Sequence, residues 1–249
     1  MVTLYYFSPT GGTKKVAEIF SSEIAGKITA VDLGMRTVQP ESTIGDVAVI
    51  AAPVFGGRIP AIVADKVRSL NGTGKKAVTL AVYGNRAFED ALLELNDAVA
   101  SAGFQIVASG AFVAQHSMAP EVGKGRPDEK DRADICGFAQ KVLAKLESAA
   151  DSQVTVPGNR PYKNSMGIPA APISNPACKL CGKCSAVCPV GAISLENHSV
   201  ATNTNCILCM ACVSACPEQA RILPPPLQAK MEQMLGALKS IRRENEYFL

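Results

Sequence analysis

Cys178, Cys181, Cys184, Cys188 and Pro189 recur as Cys206, Cys209, Cys212, Cys216 and Pro217, all five at one constant offset along the chain. A repeat this strict means two copies of one short unit, neither able to bury a core alone. Each copy reads Cys-x-x-Cys-x-x-Cys-x-x-x-Cys-Pro, and the prolines stop helix continuation just after the fourth thiol. The opening Val2 to Phe7 carries neither a basic region nor a long apolar run, so no secretory signal is expected and a cytoplasmic location is. In that compartment, nine cysteines are expected to be metal ligands or redox groups sooner than disulfides.

This spacing lets a short looped backbone offer three thiolates to one iron–sulfur cube and send the fourth to its neighbour. By that rule Cys178, Cys181, Cys184 and Cys216 hold one [4Fe–4S] cluster (cluster I). Cys206, Cys209, Cys212 and Cys188 hold the other (cluster II). Paired zinc sites, the other chemistry four cysteines suit, lack the third step and the trailing Cys-Pro. Residues 176–222 resemble the clostridial-type two-cluster ferredoxins, a small α+β fold, and the resemblance implies low-potential one-electron carriers. Lys179 and Lys183 interrupt the first motif, whereas Ile207, Leu208, Met210, Ala211 and Val213 leave the second without charge. Positive charge favours the reduced, more negative cluster, so cluster I is expected to have the higher potential.

Upstream the pattern changes. Strand-like Val2 to Phe7, Ile28 to Leu33, Asp46 to Ala52, Lys76 to Tyr83 and Phe104 to Ala114 alternate with helix-like Thr13 to Gly26, Pro60 to Leu70, Ala87 to Ala102 and Glu129 to Ala149. Continuous apolar strands such as Val47 to Ala51 are buried on both faces, which a parallel sheet covered by helices produces. Residues 1–150 are therefore expected to form a doubly wound α/β domain with a five-stranded parallel sheet. Residues 151–175, with Pro157, Pro161, Pro169 and Pro172, read as a semi-rigid extended linker. Residues 223–249 read as a docking helix with Met231, Met234, Leu235, Leu238 and Ile241 on one stripe.

Directly after the first strand, Ser8-Pro9-Thr10-Gly11-Gly12-Thr13 opens a helix. Small residues at a helix N-terminus present N–H groups and hydroxyls to an anion, and the spacing fits neither the Walker nor the three-glycine dinucleotide pattern. Pro53-Val54-Phe55-Gly56-Gly57 and Tyr83-Gly84-Asn85 follow the third and fourth strands, so all three loops meet at the carboxyl edge of the sheet. With these loops, residues 1 to about 150 resemble flavodoxins. The resemblance implies an FMN whose phosphate is held by Ser8, Thr10, Gly11, Gly12 and Thr13. It puts Pro53, Phe55, Gly56, Gly57, Tyr83, Gly84 and Asn85 around the ring, with Gly56 or Gly57 as the peptide that flips on one-electron reduction. The chain departs from that family in having no tryptophan and a basic pI near 8.3.

The whole order resembles the fused flavodoxin–ferredoxin proteins of anaerobic bacteria and archaea. It implies an electron-transfer protein relaying electrons between FMN and two low-potential clusters, more a carrier than a stand-alone enzyme. A flavin-dependent reductase and a ferredoxin on a flavin-free docking scaffold stay open as alternatives. Redox partner proteins are expected, with a homodimer left open. A charge of +3, dispersed along the chain, argues against nucleic acid. No apolar run approaches the roughly 20 residues of a membrane helix. Cys136 reads as a small helix hydrophobe, and His116 and His198 as solvated loop histidines, the latter in a hairpin turn.

Overall fold

The computed structural model describes residues 1–37, 45–148, 153–165, 167, 170–196 and 198–249. Strands β1 (Val2–Tyr6), β2 (Ile28–Asp32), β3 (Val47–Pro53), β4 (Lys76–Tyr83) and β5 (Gln105–Val113) alternate with α1 (Gly12–Ile24), α2 (Ala61–Arg68), α3 (Ala91–Ser101) and α4 (Glu129–Glu147). The strands pair in parallel in the order β2-β1-β3-β4-β5, the flavodoxin-like arrangement. Because side chains alternate along a strand, Leu4, Tyr6, Val49 and Ala51 pack under α1 and α4. Tyr5, Phe7, Ala48 and Ile50 pack under α2 and α3. The last residues expected in α4 (Ala149), the boundary at 150–151, and Pro169 lie outside the described residues.

The cysteine-rich segment is a pseudo-symmetric pair. Strand β6 (Ile173–Ser174) pairs with β9 (Arg221–Ile222), and between them run the single turn α5 (Lys183–Ala186), the hairpin of β7 (Ile193–Glu196) with β8 (Ser199–Thr202), and a second single turn, α6 (Ala211–Ser214). His198 sits in the hairpin turn at φ 58°.

The connector is held at residues 159–163. Asp90 accepts N–H groups from Asn159 (2.8 Å) and Lys163 (2.7 Å). Asp97 takes Arg160 and the Tyr162 hydroxyl, and Arg58 lies over the Tyr162 ring at 4.7 Å. Residues 159–163 thus lie along α3, with Asp90 at its N-terminus and Asp97 within it both finding partners in the connector.

The C-terminal segment departs from a single helix. Helix α7 (Pro225–Leu235) ends in a 3-10 turn, Gly236–Ser240, and the chain then extends into β10 (Glu246–Phe248), antiparallel to β5. The buried stripe is Leu227, Met231 and Leu235, at four-residue spacing, with Leu238 partly buried beside it. Met234 is 51% exposed and Ile241 is 47% exposed. A strand that short is stabilised by what its flanks hold, since two or three ladder hydrogen bonds add only about 1 kcal/mol each. Asn85 donates to the carbonyls of Leu238 (3.3 Å) and Ile241 (2.6 Å) and accepts the Arg243 N–H (3.1 Å). Arg126 donates to the Arg243 carbonyl at 2.7 Å, while Asp131 accepts from Arg126 Nε at 2.8 Å and Asn245 Nδ2 at 3.0 Å. Burial alone would raise the Asp131 carboxyl, but Arg126 beside it holds it below the usual carboxylate range.

Breaking a buried ion pair leaves its partner charged in the interior, so Asp131→Ala should cost about 3–5 kcal/mol, read from the urea midpoint at pH 7. Because the folded-state value is depressed, this contribution is fully present above the ordinary carboxyl value of about 3.9 and fades as pH falls below it. An Asp131→Ala midpoint equal to that of the wild type would show that the Arg126 pair does not hold the strap.

Candidate functional site

The sequence repeat is also a repeat of backbone strain. Leu180 and Leu208 (φ 55° and 52°), Gly182 and Met210 (76° and 65°), and Gly191 and Gln219 (63° and 50°) are all left-handed, and each pair occupies equivalent positions in the two copies. Non-glycine residues pay roughly 1–2 kcal/mol for that conformation, so four of them in one small segment mark a constraint beyond chain packing. Each motif turns its loop inward, and N–H groups point at sulfur: Ala192 to Cys188 Sγ at 3.2 Å and, in the second copy, Ala220 to Cys216 Sγ at 3.3 Å.

One cavity is lined by Cys188, Cys206, Cys209 and Cys212 together with Pro172, Val190 and Ile193. Three of these thiols come from the second motif and one from the first. Among the described residues, no three His, Cys, Asp or Glu side chains converge closely enough for a single metal ion. Tetrahedral zinc would bring sulfurs to about 3.8 Å from one another at its Zn–S distance of about 2.3 Å. Four thiols lining one cavity are the donor set that a [4Fe–4S] cube takes. Burial pushes the Cys209 thiol up to about 12, and the neighbouring Cys212, Cys188 and Cys206 add to it. Cys209 becomes anionic only against strong positive charge, which metal coordination supplies.

The other four are placed differently. Cys184 is buried in the same hydrophobic cluster as Cys188 and Cys212. Cys178 borders an adjoining groove with Leu180 and His198, and Cys181 is exposed. Lys179 and Lys183 are exposed too. Arg221, shortly after Cys216, is buried to 2% exposure, and its guanidinium reaches the Pro172 carbonyl and Thr202 Oγ1 (both 2.7 Å), Ser174 Oγ (3.1 Å) and Cys212 Sγ (4.0 Å).

At the sheet edge, Ser8 Oγ accepts the Lys14 N–H at 2.9 Å and Gly11 turns the loop through φ 90°. Thr10 and Gly11 are exposed. The amides of Gly12 and Thr13 belong to the first helical turn, which has no intrahelical acceptors, so the loop fits a phosphate. Gly12 is pressed against Ala114, whose methyl would lie 3.1 Å from an added Cβ.

The remaining loops are only partly available to a ring. Phe55 and Arg58 exchange backbone hydrogen bonds (2.8 and 3.2 Å) around Gly56 and Gly57, both left-handed. Phe55 and Gly56 are half-buried, whereas Pro53 is buried within β3 and Gly57 is roofed by Glu89 and Lys163. Tyr83 and Asn85 are committed elsewhere. Tyr83 is buried against Phe88, with its hydroxyl donating to the Glu244 carbonyl at 3.4 Å, and Asn85 is fully buried under the C-terminal strap. Burial pushes the Tyr83 phenol up to about 12. The loop positions suggested a cofactor face, but the strap that occupies them comes from the far end of the chain.

His116 is the residue that sequence reasoning undervalued. Its ring lies flat on Gly84, where a Cβ would come within 2.5 Å of Cδ2, and its Nδ1 accepts the N–H groups of Met118 and Ala119 at 3.2 Å each. The proton of the neutral ring therefore sits on Nε2. Burial, with Arg86 nearby, lowers its pKa to about 4. Cys136 is partly buried against the α1/α4 core, with burial and Glu23 raising its thiol.

The second cysteine loop packs on the sheet domain. Ile207 and Cys209 lie against the same hydrophobic cluster that Val54 and Phe55 flank. Leu208, Met210 and Val213 pack with Met118, Ala119, Val122 and the buried stripe of α7.

Residues 172–219 match the family model for a 4Fe–4S dicluster domain. The chain joins a flavodoxin-like sheet to a dicluster domain. Iron–sulfur clusters and a redox, electron-transferring role follow from that domain. No curated protein matches the chain. Among solved structures it is similar to a Streptococcus pneumoniae TIGR4 flavodoxin (18% identity, TM-score 0.43, covering 58% of this chain and 98% of that one). It is also similar to flavodoxin 2 of Bacillus cereus (17%, 0.44, 58% and 98%) and to an NADH:FMN oxidoreductase in its apo form (16%, 0.45, 59% and 89%). The fold assignment rests on the strand order and register described above. Among the described residues, no helix is long and apolar enough to cross a membrane.

Gly84→Ala should lift the His116 ring off its seat and return its pKa from about 4 toward the ordinary 6.5, followed by long-range proton–nitrogen NMR of the imidazole. A half-buried neutral histidine supports the fold at neutral pH, and that support is lost as pH falls from 6.5 through about 4. A wild-type titration near 6.5 would mean that the ring is solvated.

Proposed function

We propose that this chain is an electron carrier in which two [4Fe–4S] clusters exchange electrons with an FMN at the edge of the flavodoxin-like sheet. Cluster I is ligated by Cys178, Cys181, Cys184 and Cys216, and cluster II by Cys206, Cys209, Cys212 and Cys188. The corresponding division is a sheet domain at 1–150, a connector at 151–175, a cluster domain at 176–222 and a C-terminal docking segment at 223–249.

One observation carries the reading: the loop holding three cluster II thiols is seated between the Phe55 cluster and the Met118–Ala119 turn. When bound, the flavin would supply conversion between two-electron and one-electron chemistry, and the clusters single-electron transfer. The chain's own residues have separate tasks. Ser8, Thr10, Gly11, Gly12 and Thr13 bind the phosphate; Phe55 and Gly56 flank the ring, with Gly84 and His116 closing the far side. Ile207 to Met210 exclude water from the gap between the sheet edge and cluster II. The docked connector and the α7 strap fix the spacing, so the geometry is that of a fixed wire. Cluster I, with Cys181 exposed beside Lys179 and Leu180, is the side that a redox partner protein reaches.

The commitment of Tyr83 and Asn85 to the strap favours a second reading, in which the sheet is a flavin-free docking scaffold. Flavin content separates the two. Anaerobically purified protein should release about one FMN per chain on denaturation and contain eight irons, the number two [4Fe–4S] cubes require. Cys188→Ser, although it lies in the first motif, should abolish the cluster held by the second. Loss of the first motif's cluster instead, seen by EPR of the reduced protein, would refute the exchanged ligation.

A further inference from the structure

Arg221 occupies a position that the repeat fills with Ile193 in the first copy. Both side chains are buried, Ile193 at 6% and Arg221 at 2% exposure, so the second copy replaces an apolar core residue by a cation. The fold needs no charge at this place, since the first copy builds the same turn without one.

A buried guanidinium is ordinarily paired with a carboxylate, because an uncompensated charge in the interior is strongly destabilising. Arg221 has no such partner among the described residues. Its contacts are the Pro172 carbonyl, the hydroxyls of Ser174 and Thr202, and Cys212 Sγ at 4.0 Å, and its Nε is buried without any hydrogen-bond partner. Among the described residues, the one ionisable side chain it reaches is the Cys212 thiol of the Cys188, Cys206, Cys209 and Cys212 cavity, which becomes anionic on ligating iron.

We propose that Arg221 is the counter-charge of cluster II and raises its potential above that of cluster I, so that an electron settles on the cluster nearer the flavodoxin-like sheet. The inference rests on the cluster ligation proposed above and reverses the order expected from Lys179 and Lys183. Those two ammonium groups are exposed, where water screens them, whereas Arg221 is sealed in. At equal separation a unit charge acts about fourfold more strongly at an effective dielectric of 20 than in bulk water. The event it biases is one electron passing between two cubes, one oxidised as the other is reduced, with no proton moved and no bond made or broken. Arg221 is a positioning residue for charge, acting through Cys212.

The test is stepwise reduction of the full chain, followed by NMR of the contact-shifted cysteine β-protons. Cys209 and Cys212 report cluster II, and Cys178 and Cys181 report cluster I, in wild type, Arg221→Met and Arg221→Lys. The wild type should reduce cluster II first. Arg221→Met should lower the reduced-to-oxidised ratio of cluster II at least tenfold at a fixed ambient potential, about 59 mV for a one-electron couple, and leave cluster I in place. Arg221→Lys, which keeps the charge and loses the fork of hydrogen bonds, should stay near the wild type. An unchanged ratio in Arg221→Met, or reduction of cluster I first in the wild type, overturns the proposal. If Arg221→Met fails to assemble cluster II, an Arg221→Lys protein that assembles it and reduces it first supports the proposal; one that also fails assigns Arg221 to holding Pro172 and Thr202 in place and overturns it. A wild type without iron, seen by iron and sulfide assay before any potential is measured, refutes the cluster ligation itself.

Discussion

Four thiols around one buried cavity are an electrostatic problem before they are a binding site. Ionised, they lose their water and repel one another; Cys209, pushed up to about 12 by burial first and by its neighbouring thiols second, shows both penalties. An iron–sulfur core removes both costs at once, and much of the local structure is arranged around that resolution. The left-handed leucines and Met210 turn N–H groups and sulfurs inward at a conformational cost that packing alone does not recover. The crossing of Cys188 into the second motif's cavity makes each half of the repeat incomplete without the other. Arg221 is where the second copy sets a buried charge in place of the first copy's apolar side chain.

The same loop has a second constraint on its outer surface. Ile207, Leu208, Met210 and Val213 would be an exposed apolar patch on an isolated two-cluster domain, and here they are covered by the sheet edge and by α7. The chain then crosses back over the sheet, with Asn85, Arg126 and Asp131 gripping residues 238–245 before β10 caps the β5 edge. That return covers an edge that would otherwise invite pairing with another chain. It also uses side chains that a flavin ring would otherwise meet, which is why Tyr83 and Asn85 serve the strap.

The sequence made some of this legible and hid the rest for physical reasons. Strand and helix alternation was readable because the sheet is buried on both faces and its helices carry one apolar stripe each. Cysteine spacing was readable because it is a local geometric requirement. The end of α7 was not, since Met234 and Ile241 continue a plausible helical stripe, and Gly236 with the distant β5 edge decides otherwise. Strand β10 is too short to carry a signal of its own. His116 looked like a solvated loop histidine because its burial depends on Gly84, a residue in another loop whose missing side chain makes the room. Arg221 gave no signal of its own because charge patterning carries no information about depth; only comparison with Ile193 in the repeat could have raised the question.

Placement of the two clusters follows from the asymmetry between these loops. The first motif keeps Cys181, Lys179 and Leu180 in solvent, and the second hides its counterparts against the sheet. Electron transfer rates fall steeply with separation, so in the proposed carrier a partner would reach the exposed cluster fastest and a flavin at the sheet edge the covered one. Asp90 and Asp97 hold residues 159–163 of the connector, and Asp131 holds the strap, so both ends of the chain's return to the sheet are anchored. In the proposed carrier, direction would be set by potentials, and a cation sealed beside the inner cluster is a means of setting them that surface salt does not erase.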